Sequence, residues 1–265
     1  MGTGTGTPPV RSVKKAMDLL EAVVFCPPGK GGMTLSELSA HMGLLSNTTR
    51  NLLKSMIMCG FLEQTDDGRY VPGSKCMQIG RYTQLVSDDG LAAISRALGS
   101  LSGELHETTV FATLSGGERV VIGSSDPEQA VTVNQSVFRS GRMYDTPTGR
   151  VLMAYASGEE LKEILSRQGM PGDAWEGVYD AESFVLALEG IRVEGMSVIR
   201  GADIVAWAVP VMSRERVLGA MGCYAPTFRC TVEQEEEIVR RLRETASELG
   251  KELSDGENYM GPGGR

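Results

Sequence analysis

Residues 34–72 read TLSELSAHMGLLSNTTRNLLKSMIMCGFLEQTDDGRYVP, and their pattern decides how the front of the chain folds. Thr34 and Glu37 have capping-box spacing, in which each side chain satisfies a backbone donor at a helix start. Leu35, Leu38 and Met42 follow at helical spacing, and Gly43 supplies a stop. A second helix opens near Ser46 with Leu52, Leu53, Met56 and Ile57 as its inner face, and the run Met56-Ile57-Met58 reads as packing. Opposite that face stand Asn47, Thr48, Arg50, Asn51 and Lys54, all able to hydrogen-bond base edges or phosphates. After Gly60, Phe61-Leu62-Glu63 and Arg69-Tyr70-Val71 read as short strands around the turn Asp66-Asp67-Gly68. A short helix, a tight turn, a polar-faced helix and a basic hairpin make a winged helix-turn-helix. That device lays one helix in the major groove of DNA and a wing on the backbone.

At 265 residues the chain has room for two domains, and 41% hydrophobic with 23% charged residues is ordinary for a globular protein. No apolar run is long enough to cross a bilayer. The leader MGTGTGTPPV lacks the basic and apolar parts of a signal peptide, so a cytoplasmic location is expected. The five cysteines are scattered without a CxxC pair, and His41 and His106 are the only histidines. Reduced thiols, no metal site and no cofactor are the expectation. Charge divides unevenly. Residues 1–81 hold nine basic and six acidic side chains, whereas the remainder holds seventeen and twenty-eight. A mildly basic head on an acidic body suits a protein that sets one end on phosphate.

Elsewhere, residues 13–25 read as a helix striped by Val13, Met17, Leu20 and Val24, with Arg11 near its start, and residues 27–32 as a loop. Residues 75–86 read as a linker helix ending at Asp88-Asp89-Gly90, and Leu91, Ile94, Leu98, Leu101 and Leu105 stripe the next helix. Strands are expected at 109–114, 119–123, 130–133, 196–199, 204–211 and 217–224, with Gly116-Gly117 as a hairpin turn. Helices are expected at 148–156, 159–167, 182–193 and 231–253. The expected fold class is α/β multi-domain. It comprises a disordered arm (1–10), a winged helix-turn-helix (11–73), a linker helix (74–90), an α+β domain with a mainly antiparallel sheet (91–253) and a disordered tail (254–265). Trp207 and Phe228 are expected in the core.

These parts in this order resemble the IclR family of bacterial transcriptional regulators. The resemblance is carried by Ser12-Val13-Lys14-Lys15-Ala16-Met17-Asp18-Leu19-Leu20, Leu35-Ser36-Glu37-Leu38, Gly60-Phe61-Leu62 and Tyr70-Val71-Pro72-Gly73. Further on, Thr146-Pro147-Thr148-Gly149-Arg150, Ala208-Val209-Pro210-Val211, Val217-Leu218-Gly219-Ala220 and Ala225-Pro226-Thr227-Phe228-Arg229 continue it. It covers residues 11 to 252 and implies a GAF-like effector-binding domain behind the winged helix, operator DNA and a small-molecule metabolite as partners, and a homodimer or dimer of dimers.

Departures shape the expectations. Where the family often has Pro-Lys-Ser-Thr, this chain has Leu45-Ser46-Asn47-Thr48, and an arginine common further along falls on Asn51. The expected DNA contacts are Arg11, Thr34, Ser46, Asn47, Thr48, Arg50, Asn51, Lys54 and Arg69. By resemblance, the turn Pro147, Thr148 and Gly149 binds a carboxylate through amides at a helix start. The family's pocket aspartate is replaced by Ile199, and whether Asp203 substitutes is open. A cysteine position becomes Ala206, and two serines that serve small oxoacids become Gly222 and Tyr224. The expected effector is therefore larger than a simple oxoacid, and aromatic or acyl in character. Arg142 and Arg200 are weaker candidates for a ligand carboxylate. With no Ser-His-Asp, Cys-His or metal-ligand grouping, an enzyme is not expected. The alternative is a GAF-like dimerisation or ligand-sensing module with vestigial DNA binding.

Overall fold

The computed structural model describes residues 10–26, 31–129, 132–133, 142–214 and 216–255. The chain divides into two compact units, Met1–Gly80 and Arg81–Arg265.

The first unit is a three-helix bundle with a hairpin: α1 (Arg11–Val24), α2 (Leu35–Met42), α3 (Ser46–Met58), β1 (Leu62–Gln64) and β2 (Tyr70–Pro72). The capping box forms as read. The Glu37 amide donates to Thr34 Oγ1 at 3.3 Å and the Thr34 amide to Glu37 Oε2 at 2.8 Å. Gly43 ends α2 at φ 61, left-handed backbone that glycine adopts without a Cβ clash. β1 and β2 pair antiparallel, Leu62 opposite Pro72, and Met33 bridges to Tyr70. Leu19, Val23, Leu38, Leu53, Met56, Leu62 and Tyr70 form the core. The stripe on α1 reads differently from the expectation. Val13, Met17 and Val24 are exposed, while Leu19 and Val23, one turn of the wheel away, face inward. Met58 also turns out, at 88% exposure, because the core ends at Met56 and Ile57.

α4 (Ser74–Leu85) carries the chain out of the first unit. It ends before the expected linker does. Ser87 caps a new helix, α5 (Asp88–Leu105), by accepting from the Gly90 amide at 3.1 Å, so residues 88–90 open α5.

The second unit is a five-stranded antiparallel sheet: β3 (Thr108–Ser115), β4 (Glu118–Ser125), β5 (Ser197–Arg200), β6 (Ile204–Ser213) and β7 (Arg216–Pro226), in the order β4-β3-β7-β6-β5. Gly116 and Gly117, at φ 58 and 74, make the two-residue turn between β3 and β4. Alternation along the strands builds two cores. Phe111, Val205, Trp207, Met221 and Cys223 pack on α5 and on α9 (Val232–Asp255) through Ile94, Leu98, Leu242 and Leu249. The other face carries the small residues Ala112, Ala208 and Ala220 beside Leu114. It receives α6 (Pro147–Ala154) and α8 (Ala181–Glu194) through Val151, Leu152, Phe184 and Leu188, with α7 (Gly158–Gln168) adding Ile164. Small side chains let a helix approach the sheet closely, and α6 does so.

Five further expectations need correction or fall partly outside the described residues. Ala130 and Val131 of the expected third strand, residues 27–30 of the first loop, and residues 1–9 and 256–265 of the arm and tail lie outside. Thr132 and Val133 are described and are not strand, and Ser254 and Asp255 belong to α9 rather than a tail. Phe228 is 76% exposed because it sits on the turn after β7, beyond both cores.

Candidate functional site

α3 presents an exposed polar arc. Ser46, Asn47, Thr48, Arg50, Asn51 and Lys54 are all exposed, while Thr49, Leu53 and Met56 turn inward. Helical periodicity enforces this split, since the inner residues recur every three or four positions. The first turn of α3 holds no acidic residue, and no side chain caps it. Positive helix-end potential therefore stays uncancelled at the tip, which favours phosphate. Arg11, the first residue of α1, is exposed as well.

Two expected DNA contacts are committed elsewhere. The Thr34 hydroxyl donates to Glu37 Oε2 at 3.0 Å while accepting the Glu37 amide, so it serves the helix cap. Arg69 donates to the Gly32 carbonyl at 3.1 Å and pairs with Asp67 at 3.2 Å and Glu37 at 3.7 Å. The wing tip itself carries Asp66 and Asp67, and the Thr65 hydroxyl holds the Asp67 carboxyl below the usual carboxylate range. An acidic tip repels phosphate, so the wing's arginine acts as a brace within the hairpin.

In the second unit the structure brings together most of the expected effector residues. Ala206 and Tyr224 are opposite each other in the sheet, Val110 is opposite Gly222, and Val110, Val133, Ala206 and Tyr224 form one small buried cluster. Thr148, in the first turn of α6, lies directly above. A Cβ on Gly222 would stand 2.9 Å from Thr148 Cγ2. Burial pushes the Tyr224 phenol up to about 12, opposed by the Arg119 charge and then by the Thr148 hydroxyl. Gly149 is required by packing, because a Cβ there would meet the Met143 carbonyl oxygen at 2.2 Å.

The amide nest at this turn is smaller than expected. Pro147 has no N–H, and the Gly149 amide donates to the capping Thr146 Oγ1 at 3.1 Å. Asp203 does not join the cluster. It is exposed in the turn before β6, where its backbone carbonyl accepts from the Thr227 amide at 2.9 Å. Arg200 pairs with Glu235 at 2.5 Å and Arg142 with Asp145 at 3.5 Å, so both weaker candidates have carboxylate partners of their own.

Arg119 is the residue sequence reasoning missed. It shares a strand face with Val121, which packs on the Tyr224 cluster, and burial draws its guanidinium pKa down while the Tyr224 phenol raises it. Its alternation with Val121 was the available signal. Two open grooves lie on the opposite side of the sheet. One of about 520 Å3 is lined by Val198, Trp207, Val239 and Arg240, and one of about 440 Å3 by Pro210, Met212, Arg243 and Lys251. Their charged rims are largely self-paired, with Arg240 bound to Glu237 and Glu244 and Arg243 to the Glu194 carbonyl. Size alone therefore does not make them the sensing site. Among the described residues no group of three or more His, Cys, Asp or Glu could hold a metal ion, and no helix is long and apolar enough to cross a membrane.

A winged helix-turn-helix, a connecting helix and an α+β unit with a small buried apolar cluster around the Tyr224 phenol define a ligand-responsive, DNA-binding transcriptional regulator. The bacterial transcriptional regulator IclR C-terminal domain matches residues 83–251, and the IclR helix-turn-helix domain matches residues 12–66. The chain belongs to the IclR family of bacterial transcriptional regulators. It is 26% identical over 257 residues to the HTH-type transcriptional regulator XynR of Escherichia coli K12, covering 95% of this chain and 99% of that one. It is 28% identical over 174 residues to the Pca regulon regulatory protein of Pseudomonas putida, covering 64% of this chain and 58% of that relative. An IclR homologue from Microbacterium hydrocarbonoxydans, solved in complex with 4-hydroxybenzoate, shares the fold at a TM-score of 0.52 and 22% identity, covering 92% of this chain and 99% of that one.

Proposed function

We propose that this regulator acts in the cytoplasm as a homodimer that lays α3 of each copy in the major groove. Ser46, Asn47, Thr48, Arg50 and Asn51 meet base edges or phosphates, and Arg11 and Lys54 add phosphate contacts. The observation that carries the reading is the exposed arc of α3, polar along its middle and free of acidic residues in its first turn. The exposed apolar stripe Val13, Met17 and Val24 on α1 supports dimerisation, because a contiguous apolar face is costly in water.

The effector binds at the α6 start, against Thr148, Gly222, Ala206 and Tyr224, and carries an aromatic or acyl body rather than being a simple oxoacid. The buried phenol and the alanine and valine wall support this, since they offer apolar area with the Tyr224 phenol and the Thr148 hydroxyl as polar handles. The Microbacterium homologue's 4-hydroxybenzoate supplies a probe of that chemistry.

A gel shift with DNA from upstream of the protein's own gene, at stated salt and with competitor DNA, tests the first claim. A specific complex is expected, and loss of all binding to competitor would favour a sensing module with vestigial DNA binding. Calorimetric titration tests the second, and micromolar binding of glyoxylate would overturn it.

A further inference from the structure

Leu45 holds the N-cap of α3 with φ −63 and ψ 139 and makes no side-chain cap. Leucine is among the poorest residues for this position, because it offers no acceptor to the first-turn amides. The chain caps other helices with Thr34, Ser87, Ser157 and Asp180, each accepting a first-turn amide. Leu45 is also 80% exposed, and it has no part in the core built around Leu38, Leu53 and Met56. Its side chain thus gives its own unit no cap hydrogen bond and little packing. Its place is at the tip of the helix, directly before Ser46 and Asn47, at the end where helix-turn-helix proteins concentrate base contacts. Met58, the exposed large apolar residue within α3 itself, stands at the far end.

We propose that Leu45 reads a thymine by packing on its C5-methyl group in the major groove. This rests on the DNA-binding reading above and adds a specificity determinant to it. The thymine methyl is the apolar feature that the major groove displays, and an apolar side chain selects it by desolvation where the neighbouring polar residues can only hydrogen-bond. Asn47, Arg50 and Asn51 are suited to purine edges, so an apolar tip beside them extends the readable site to an A·T pair without a further hydrogen bond.

The test uses the full-length protein. Its site upstream of its own gene is mapped by footprinting, and each thymine is then replaced by deoxyuridine, which lacks only the methyl group. One thymine per half-site is expected to matter, at about 4-fold in affinity per methyl removed, the scale of one buried carbon. Leu45→Ala should bind the natural site about as weakly as the wild type binds the deoxyuridine site, and be indifferent to the replacement. Leu45→Ser restores an N-cap acceptor, so its thermal midpoint should rise while the thymine preference disappears, a combination that a purely structural leucine would not give. A footprint in which no thymine methyl matters, or methyl sensitivity persisting in Leu45→Ala, would overturn the proposal and leave operator binding intact. Absence of any footprint would overturn operator binding itself, and this inference with it.

Discussion

Arg81, near the end of α4, is the first residue of the second unit and ties that end of the helix to the rest of its own unit. Its Nη2 donates to Glu160 Oε1 at 2.9 Å and to the Leu114 carbonyl at 3.1 Å, and Nη1 donates to the Val217 carbonyl at 3.4 Å. Glu160 is doubly used, since its other oxygen accepts the Ser157 amide at 2.9 Å and closes the capping box of α7. The side chains are 21% and 10% exposed, so this pair is largely removed from water. Truncating one partner of a buried pair costs about 3–5 kcal/mol, mostly because the remaining charge is stranded. Arg81 keeps some solvent contact and Glu160 keeps its Ser157 amide, which brings the expectation for Arg81→Met down to about 2–3 kcal/mol. Glu160→Gln retains an acceptor for Ser157 and should cost about 1–2 kcal/mol. The double variant should be less damaging than the two losses added, by about 1 kcal/mol or more, because the glutamine no longer leaves a stranded charge. Urea unfolding followed by tryptophan fluorescence measures this cleanly, because both tryptophans, Trp175 and Trp207, belong to the second unit. An unchanged urea slope would confirm that only stability has moved. Additivity of the two single variants to within about 0.5 kcal/mol would refute the claim that Arg81 and Glu160 act as a pair.

Gly222→Ala should lower stability by about 1–3 kcal/mol, since the new methyl meets Thr148 Cγ2 at 2.9 Å and the Trp207 carbonyl oxygen at 3.1 Å. Adding Thr148→Ser removes that methyl and should recover part of the loss in the same urea assay. Tyr224 has a folded-state pKa raised from 10.0 to about 12, so its contribution is complete below pH 10 and is lost as pH climbs towards 12. The loss amounts to roughly 2–3 kcal/mol, and Tyr224→Phe should flatten the alkaline fall in stability when urea midpoints are compared at pH 9 and 11.5. Met17→Glu together with Val13→Glu should shift sedimentation towards a monomer without lowering helix content, and an unchanged sedimentation coefficient would exclude the α1 stripe as an interface. Arg50→Ala should weaken specific DNA binding by about 10-fold or more at low salt in a gel shift, whereas Arg69→Ala should act mainly on the stability of the wing.

The elements were legible because their causes are local. Thr34 and Glu37 cap α2 across three residues, Gly116 and Gly117 turn a hairpin, and alternating Val205, Ala206, Trp207 and Ala208 sort themselves onto two faces of β6. What a periodic pattern does not give is which covered side belongs to this molecule. On α1 the stripe through Val13 and Met17 and the one through Leu19 and Val23 are both apolar, and only the arrival of Leu38, Leu53 and Leu62 selects the second as core. Side-chain commitments are harder still, because the partner is remote in sequence. Arg69 looked like a free wing cation until folding delivered the Gly32 carbonyl from 37 residues away, and Arg81 spends its donors on groups 33, 79 and 136 residues distant. The same logic explains why Leu45 stands out only now. A leucine at a helix start is unremarkable in sequence, since any of several neighbours could cover it, and it becomes a question only when the folded unit leaves it bare. A side chain that folding did not use is where a contact with another molecule should be sought, provided that its cost to folding can be named. For Leu45 that cost is the missing N-cap acceptor, about 1 kcal/mol, and recovering it with serine at the expense of thymine preference is the trade that would identify the leucine as kept for DNA.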